Sequence, residues 1–161
     1  MGDIHHYKRC SIHDFFAMSN STPTPIAVWK EEYRIGDARI DREHQVLFEM
    51  FHELHLELQT TVRRDVLKSM LLNISSHTIE HFQNEEALMQ ARGYPGLERH
   101  QHIHANLLKK VSKIIGKFDQ VADFTPDEQL TEFLHEWLAH HIRGEDQTMI
   151  HFFRSLATAS A

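Results

Sequence analysis

The sequence predicts an all-α fold: an antiparallel up-down-up-down four-helix bundle with an N-terminal arm and a short C-terminal helix. Three observations predict it. Apolar residues recur every three or four positions along four separate stretches, the period of an amphipathic helix. No stretch alternates apolar and polar residues as a half-buried strand does. The stretches are similar in length and joined by short connections, which makes sequential helices antiparallel neighbours.

The elements follow in order. Residues 1–25 are polar and close on Ser19-Asn20-Ser21-Thr22-Pro23-Thr24-Pro25, a composition that suits a flexible arm. Residues 26–161 form the bundle domain. Trp29 to Ile40 is an apolar-studded lead-in without clear periodicity. Helical period takes over from Asp41, with Leu47, Phe48, Phe51, Leu54 and Leu58 on one face. A second helix starts near Asp65 and carries Leu67, Met70, Leu71, Ile74 and Leu88. Gly93 is placed to end it as the residue after the C-cap, and Pro95 prevents continuation. The third runs from about Leu97 to about Phe118 through Leu107, Leu108, Val111, Ile114 and Ile115, with Gly116 weakening its end. The fourth opens on Thr125-Pro126-Asp127-Glu128, read as an N-cap, a proline at the first helical position and a capping-box glutamate. Its stripe is Leu130, Phe133, Leu134, Trp137 and Leu138, and Gly144 is expected to end it. A short last helix is expected around Gln147–Leu156.

Composition excludes several classes of function. The chain has 161 residues, 41% hydrophobic and 25% charged, enough for one domain with a real core. A net charge of −6 argues against a non-specific nucleic-acid binder, which needs a basic patch. No apolar run approaches a membrane span. The first residues lack the basic-then-apolar plan of a secretion signal, so a reducing, cytoplasmic setting is expected. Cys10 is the single cysteine, which excludes a disulfide within the chain and any multi-cysteine metal cage.

Histidine is the unusual count, at 15 residues. A helix turns about 100° per residue, so positions three, four or seven apart share a face. His44 lies three before Leu47 and four before Phe48; His81 lies seven after Ile74; Glu85 lies four after His81. His100 and His104 are four apart, Leu108 continues their stripe, and His141 lies four after Trp137. Five histidines and a glutamate thus fall on core-facing stripes of all four helices. Left unpaired, such groups would cost several kcal/mol each on burial; a shared metal centre satisfies them together. Five imidazoles exceed the four ligands of a structural zinc, and imidazole with bridging carboxylate suits iron. Glu85 is one bridge. Asp146, five residues after His141 and just past Gly144, is the candidate for a second. Two Glu-x-x-His strings, Glu49 with His52 and Glu132 with His135, resemble the pairs of ferritin-like di-iron bundles. Glu49 lies about 140° from His44 around its helix, and Glu132 about 180° from His141, so both strings read as solvated faces. His5, His6, His13, His52, His55, His102, His135, His140 and His151 are assigned to the surface or the arm.

These residues carry a family pattern. Asp41-x-x-His44, His81-Phe82-x-x-Glu85-Glu86, Gly93-Tyr94-Pro95, His100-x-x-x-His104 and Trp137-Leu138-x-x-His141-Ile142-x-x-x-Asp146 resemble the hemerythrins, especially the bacterial branch. The lead-in Trp29…Tyr33-x-Ile35-Gly36…Ile40-Asp41 is similar too, and the likeness spans roughly residues 27 to 155. The resemblance implies two non-haem irons: one held by His100, His104 and His141, the other by His44 and His81. Glu85, Asp146 and a solvent-derived oxo or hydroxo group would bridge them. It implies reversible O₂ binding at the two-histidine iron, for transport, storage, delivery or sensing, with an oxygen-consuming enzyme or a separate signalling protein as partner. A histidine-rich, carboxylate-poor set favours binding of O₂ over cleavage, and a dry pocket limits protonation. Phe48, Phe82, Leu108 and Trp137 are candidates for the pocket lining. His77, four before His81, stands where bacterial relatives commonly carry tyrosine. It either stays in the core behind the ligands or faces the iron pocket, where it would make the site less inert and favour the alternative of a di-iron redox enzyme: peroxidase, ferroxidase or nitric-oxide handling. The expected class is a binding protein, not an enzyme.

Overall fold

The computed structural model describes residues 27–60 and 63–159; the expected arm at residues 1–25 lies outside them. The described chain contains helices and no strand. A 3₁₀ turn, Glu31–Tyr33, leads into α1 (Ala38–Leu58), followed by α2 (Arg64–Ala91), α3 (Leu97–Gln120) and α4 (Glu128–His141). A π-helical turn, Ile142–Asp146, joins α4 directly to α5 (Gln147–Ala159). The four long helices form the antiparallel bundle, with α2 beside both α1 and α3, and α4 back against α1.

The apolar stripes close on one core. Leu47, Phe48, Phe51 and Leu54 from α1 meet Leu67, Leu71 and Ile74 from α2, Leu107 and Val111 from α3, and Leu134 and Leu138 from α4, all buried. On α2 the fully buried position near the C-terminus is Met89, with Leu88 half-buried beside it. The lead-in is irregular apart from the 3₁₀ turn, yet it is packed: Trp29 and Tyr33 lie on Phe48, the Tyr33 ring stacked at 5.1 Å. Buried Asp41 accepts the backbone N–H of Ile35 (2.8 Å) and of Gly36 (3.1 Å), so the first turn of α1 anchors this cover. Asp37 caps α1 by accepting the N–H of Arg39 and Ile40, which starts the helix three residues before Asp41.

One helix end follows its signal and two do not. Gly93 takes φ +62° after α2; its N–H reaches Gln90 O and that of Tyr94 reaches Met89 O, the paired bonds of a Schellman end. The capping box expected at Thr125 is absent. Helix α4 begins at Glu128 with Asp127 as its N-cap, and no side chain caps it. Arg64 holds the Phe124 carbonyl toward α2, and the chain runs on extended to Asp127. Nor does Gly144 end α4: the chain passes through the π-turn into α5 without leaving the helical path. The core then continues into α5 through Met149, Ile150 and Phe153.

Arg64 is the main tie at the far end of the bundle. Its guanidinium donates to the carbonyls of Phe118, Val121 (2.7 Å) and Phe124 (3.0 Å) and lies over the Phe118 ring. It thereby satisfies the Phe118 carbonyl, which the end of α3 leaves without a helical partner, and ties down the connection that follows. Charge-assisted bonds of this kind contribute about 1.5–3 kcal/mol. Arg64→Met is therefore expected to lower unfolding free energy by about 2 kcal/mol, read as a shifted urea midpoint at unchanged slope. An unchanged midpoint would mean that solvent replaces the arginine fully.

Candidate metal centre

Four helices and the π-turn converge on one buried cluster. His44 comes from α1, His81 and Glu85 from α2, His100 and His104 from α3, and His141 from the end of α4; all are at most 4% exposed. Asp146, fully buried, comes from the π-turn. Its placement depends on that turn. In an α-helix a residue five positions after His141 would point about 140° away. A π-turn closes its bonds i→i+5 and returns that residue to nearly the same face. The Asp146 carboxylate accordingly lies 3.1 Å from His141 Nε2.

The donor atoms fall into two groups that share Glu85. One brings together Glu85, His100, His104 and His141; the other His44, His81 and Glu85. Asp146 spans both, with Oδ2 3.4 Å from His44 Nε2 and Oδ1 3.4 Å from His100 Nε2. Glu85 Oε2 lies 3.5 Å from His100 Nε2, 3.5 Å from His104 Nε2 and 3.8 Å from His81 Nε2. Yet Nε2 of His44, His81 and His100 and all four oxygens of Glu85 and Asp146 are buried without a hydrogen bond. Buried polar atoms are seldom orphaned, and seven of them aimed at one centre fit metal ions as their common partner. His104 Nε2 and His141 Nε2 are 3.0 Å apart. Two nitrogens about 2.1 Å from one ion and at right angles lie about 3.0 Å from each other.

Outer partners set the histidine tautomers. His81 Nδ1 donates to Glu43 Oε2 at 3.0 Å, and His104 Nδ1 donates to Glu86 Oε1 at 2.9 Å. Glu43 is itself held by Arg39 and Asn84, and Glu86 by Gln101. A proton fixed on Nδ1 leaves Nε2 as the coordinating atom and makes it more basic. Sequence reasoning missed both glutamates. Their signal is adjacency: Glu43 precedes His44 and Glu86 follows Glu85, each one helical step away and toward the neighbouring helix.

Burial shapes the charge states. The Glu85 carboxyl is pushed up to about 8 by burial first and by the Asp146 charge second. Burial would raise Asp146 too, but His141 and His44 outweigh it and hold that carboxyl well below its usual range. Burial lowers His100 and His104, and in His104 the neighbouring His141 and His100 add to it. The His100 and His104 imidazoles therefore stand neutral, as metal ligands must.

Below the cluster, inside the bundle, is a cavity of about 10 Å³, room for about one water-sized molecule. Phe82 and Trp137 line it, together with Leu138, Leu134 and Thr78. Phe82 stacks on His104 at 3.5 Å and Trp137 on His141 at 4.6 Å. Three of the expected lining residues sit elsewhere. Phe48 packs under Tyr33 and Trp29. Leu108 is half-buried, one residue past the Leu107 that lines the cavity. His77 is half-buried beside α1, its Nε2 3.4 Å from the Glu43 carbonyl. From that turn of α2 it is Thr78 that faces the cavity, one helical step on.

Among the histidines assigned to the surface, His102, His140 and His151 are exposed, and His5, His6 and His13 lie outside the described residues. The assignment fails for His55, which is buried between Thr131 Oγ1 (3.1 Å) and Gln59 Nε2 (2.9 Å). It lies four after Phe51, on the core stripe, so its helical phase carried the signal. His52 and His135 are half-buried, and His135 meets the Phe48 ring edge-on at 5.5 Å. Glu49 and Glu132 are exposed, clear of the cluster.

The fold and the site thus define a four-helix bundle with an interior histidine–carboxylate centre for cations. The family profile described as "Hemerythrin HHE cation binding domain" matches residues 36–153, and the chain belongs to that family. It is 33% identical over 122 residues to a bacteriohemerythrin of Stenotrophomonas maltophilia (strain R551-3), covering 76% of this chain and 78% of that protein. A myohemerythrin of Riftia pachyptila is 28% identical over 129 residues, covering 80% and 94%. The crystal structure of a wild-type hemerythrin superposes with a TM-score of 0.64 at 26% identity, covering 68% of this chain and 83% of that one. No described helix is long and apolar enough to cross a membrane.

Proposed function

We propose that this chain binds O₂ reversibly at a non-haem di-iron centre. The observation that carries the reading is the shared Glu85. Two donor groups overlap at one buried carboxylate, and Nε2 of His44, His81 and His100 within them has no hydrogen-bond partner in the protein. In this reading His100, His104 and His141 hold one iron and His44 and His81 the other. Glu85 and Asp146 bridge them, joined by an oxo or hydroxo group. A ferrous pair there supplies the two electrons that O₂ uptake draws on and recovers them on release.

The chain's own residues favour reversibility. Five histidines against two carboxylates keep the donor set poor in negative charge. Glu43 and Glu86 supply theirs from outside, through His81 and His104. The cavity walls beside the cluster are apolar or aromatic apart from Thr78. The Thr78 hydroxyl donates to the Ile74 carbonyl at 2.7 Å, so its proton is committed and does not point at the cavity. A small, dry space without a free proton donor protects what binds in it from protonation and loss. His77, which favoured a redox enzyme, stays at the Glu43 carbonyl and outside this lining. The reading is therefore an oxygen carrier or sensor in a reducing, cytoplasmic setting, serving an oxygen-consuming enzyme or a separate signalling protein.

The test is spectroscopic. Protein reconstituted anaerobically with ferrous iron should hold two irons per chain. Its visible absorption should appear on adding O₂ and vanish on removing it, over repeated cycles. One-way conversion to a stable oxidised form with turnover of peroxide would identify an enzyme instead, and failure to take up iron would reject the centre.

A further inference from the structure

We propose that Arg99 and Glu145 form an external latch that fixes the π-turn and so positions Asp146 between the two histidine groups; the positioning role rests on the metal-centre reading above. Arg99 precedes His100 on α3, and Glu145 precedes Asp146 in the π-turn. Their side chains meet in a two-pronged pair, Nη1 to Oε2 at 2.6 Å and Nη2 to Oε1 at 2.7 Å. One residue inward, His100 Nε2 and Asp146 Oδ1 stand 3.4 Å apart. An outer ion pair and an inner ligand contact therefore join the same two backbone segments at the same level.

The π-turn needs such support. Single π-turns within α-helices are rare and interrupt the i→i+4 ladder. The turn's remaining side-chain hydrogen bonds run along its own helix, Thr148 Oγ1 to the Gly144 carbonyl and Arg143 Nε to the Ala139 carbonyl. Arg143 otherwise reaches the lead-in, at Glu32 (4.0 Å) and over the Tyr33 ring. The Arg99–Glu145 pair is what ties it sideways to α3. Were the turn to relax toward regular α geometry, Asp146 would swing away from His141. An ordinary exposed ion pair contributes little, and the Arg99 side chain is 70% exposed. This one differs in its fork geometry, which fixes orientation as well as distance, and in the 20% exposure of Glu145. Its effect is local: the phase of one ligand, not the stability of the whole bundle.

Three variants test it: Arg99→Gln, Glu145→Gln, and the charge-swapped Arg99→Glu with Glu145→Arg. Amide hydrogen exchange on the metal-free protein reads the latch itself. Release of loaded ferrous iron to a bipyridine chelator, under anaerobic conditions, reads its consequence. Both single variants should exchange faster at residues 142–147 with the remaining helices unchanged. They should also release iron about tenfold faster, the lower end of the range for lost outer support at metal sites. The swap should return both readouts toward wild type. Unchanged exchange at 142–147 in the single variants overturns the latch. Faster exchange with unchanged iron release overturns the positioning role. Wild-type protein that takes up no iron rejects the metal-centre reading and the positioning role with it, while the exchange data still decide the latch.

Discussion

Replacing Glu85 with alanine should strip the chain of most of its iron while leaving it folded. Glu85 is the one residue common to both donor groups, so its loss removes a ligand from each ion and the bridge between them. Loss of an outer partner to a metal ligand already costs about 10–100-fold in affinity; a shared direct ligand should cost more. Glu85→Gln keeps the shape and removes the charge, and should lose iron comparably because a neutral amide cannot replace a bridging carboxylate. The two variants differ from a merely unfolded protein in one respect. Metal-free wild type at pH 8 carries a fully buried carboxyl near its titration point, beside ionised Asp146. Burying unpaired charge is costly. Glu85→Gln should therefore melt higher than wild type when both are metal-free at that pH, and lower when both have been offered iron. Iron content by metal analysis and melting by circular dichroism check both halves. Near-normal iron in Glu85→Gln would show that the bridge lies elsewhere.

The bundle and six of the seven inward polar groups were legible because both depend on helical phase. His44, His81, Glu85, His100, His104 and His141 each fall three, four or seven residues from an apolar neighbour on a regular helix, and regular helices are what counting by 100° describes. Asp146 was legible from its place past Gly144, but for the wrong geometric reason. Its position depends on a π-turn that phase counting does not foresee, and a glycine at 144 suggested an exit where the helix in fact continues. Cavity lining was harder still. Phe48 and Leu108 satisfy the stripe, but a stripe spans more than 100°, and one helical step decides whether a side chain meets the cavity or a neighbouring helix. That step separates His77 from Thr78 and Leu108 from Leu107. Glu43 and Glu86 were missed for a related reason. They lie off the core stripe on their own helices, and their meaning appears only once the histidines of the adjacent helices are in place.

Metal-free protein should lose stability between about pH 6.5 and 8, and iron-loaded protein should not. In the metal-free fold, burial raises Glu85 from 4.5 to about 8. A raised carboxyl contributes stability that is fully present below 4.5 and is lost as pH rises through the folded value, because the unfolded chain gives up its proton first. His100 and His104 are lowered from 6.5 by burial. Their effect is opposite in sign: the unfolded chain takes up protons below 6.5 that the folded one refuses, so stability falls on acidification. Below 6.5 these two histidines and His135, which burial also lowers, work against one carboxyl, and stability should rise with pH. From 6.5 to about 8 the histidines are neutral in both states and Glu85 acts alone, so stability should fall. Asp146, lowered from 3.8, is ionised throughout this window and does not contribute to the slope. Iron removes the decline, because the ion takes the place of the Glu85 proton. Loading near pH 7 should accordingly release a proton, and the loaded protein should lose nothing between 6.5 and 8. Thermal melting at closely spaced pH values, with and without iron, gives the two curves, and calorimetry of iron uptake in buffers of different ionisation enthalpy counts the proton. Parallel curves would mean that Glu85 is already ionised in the metal-free core, with the surrounding histidines carrying its proton.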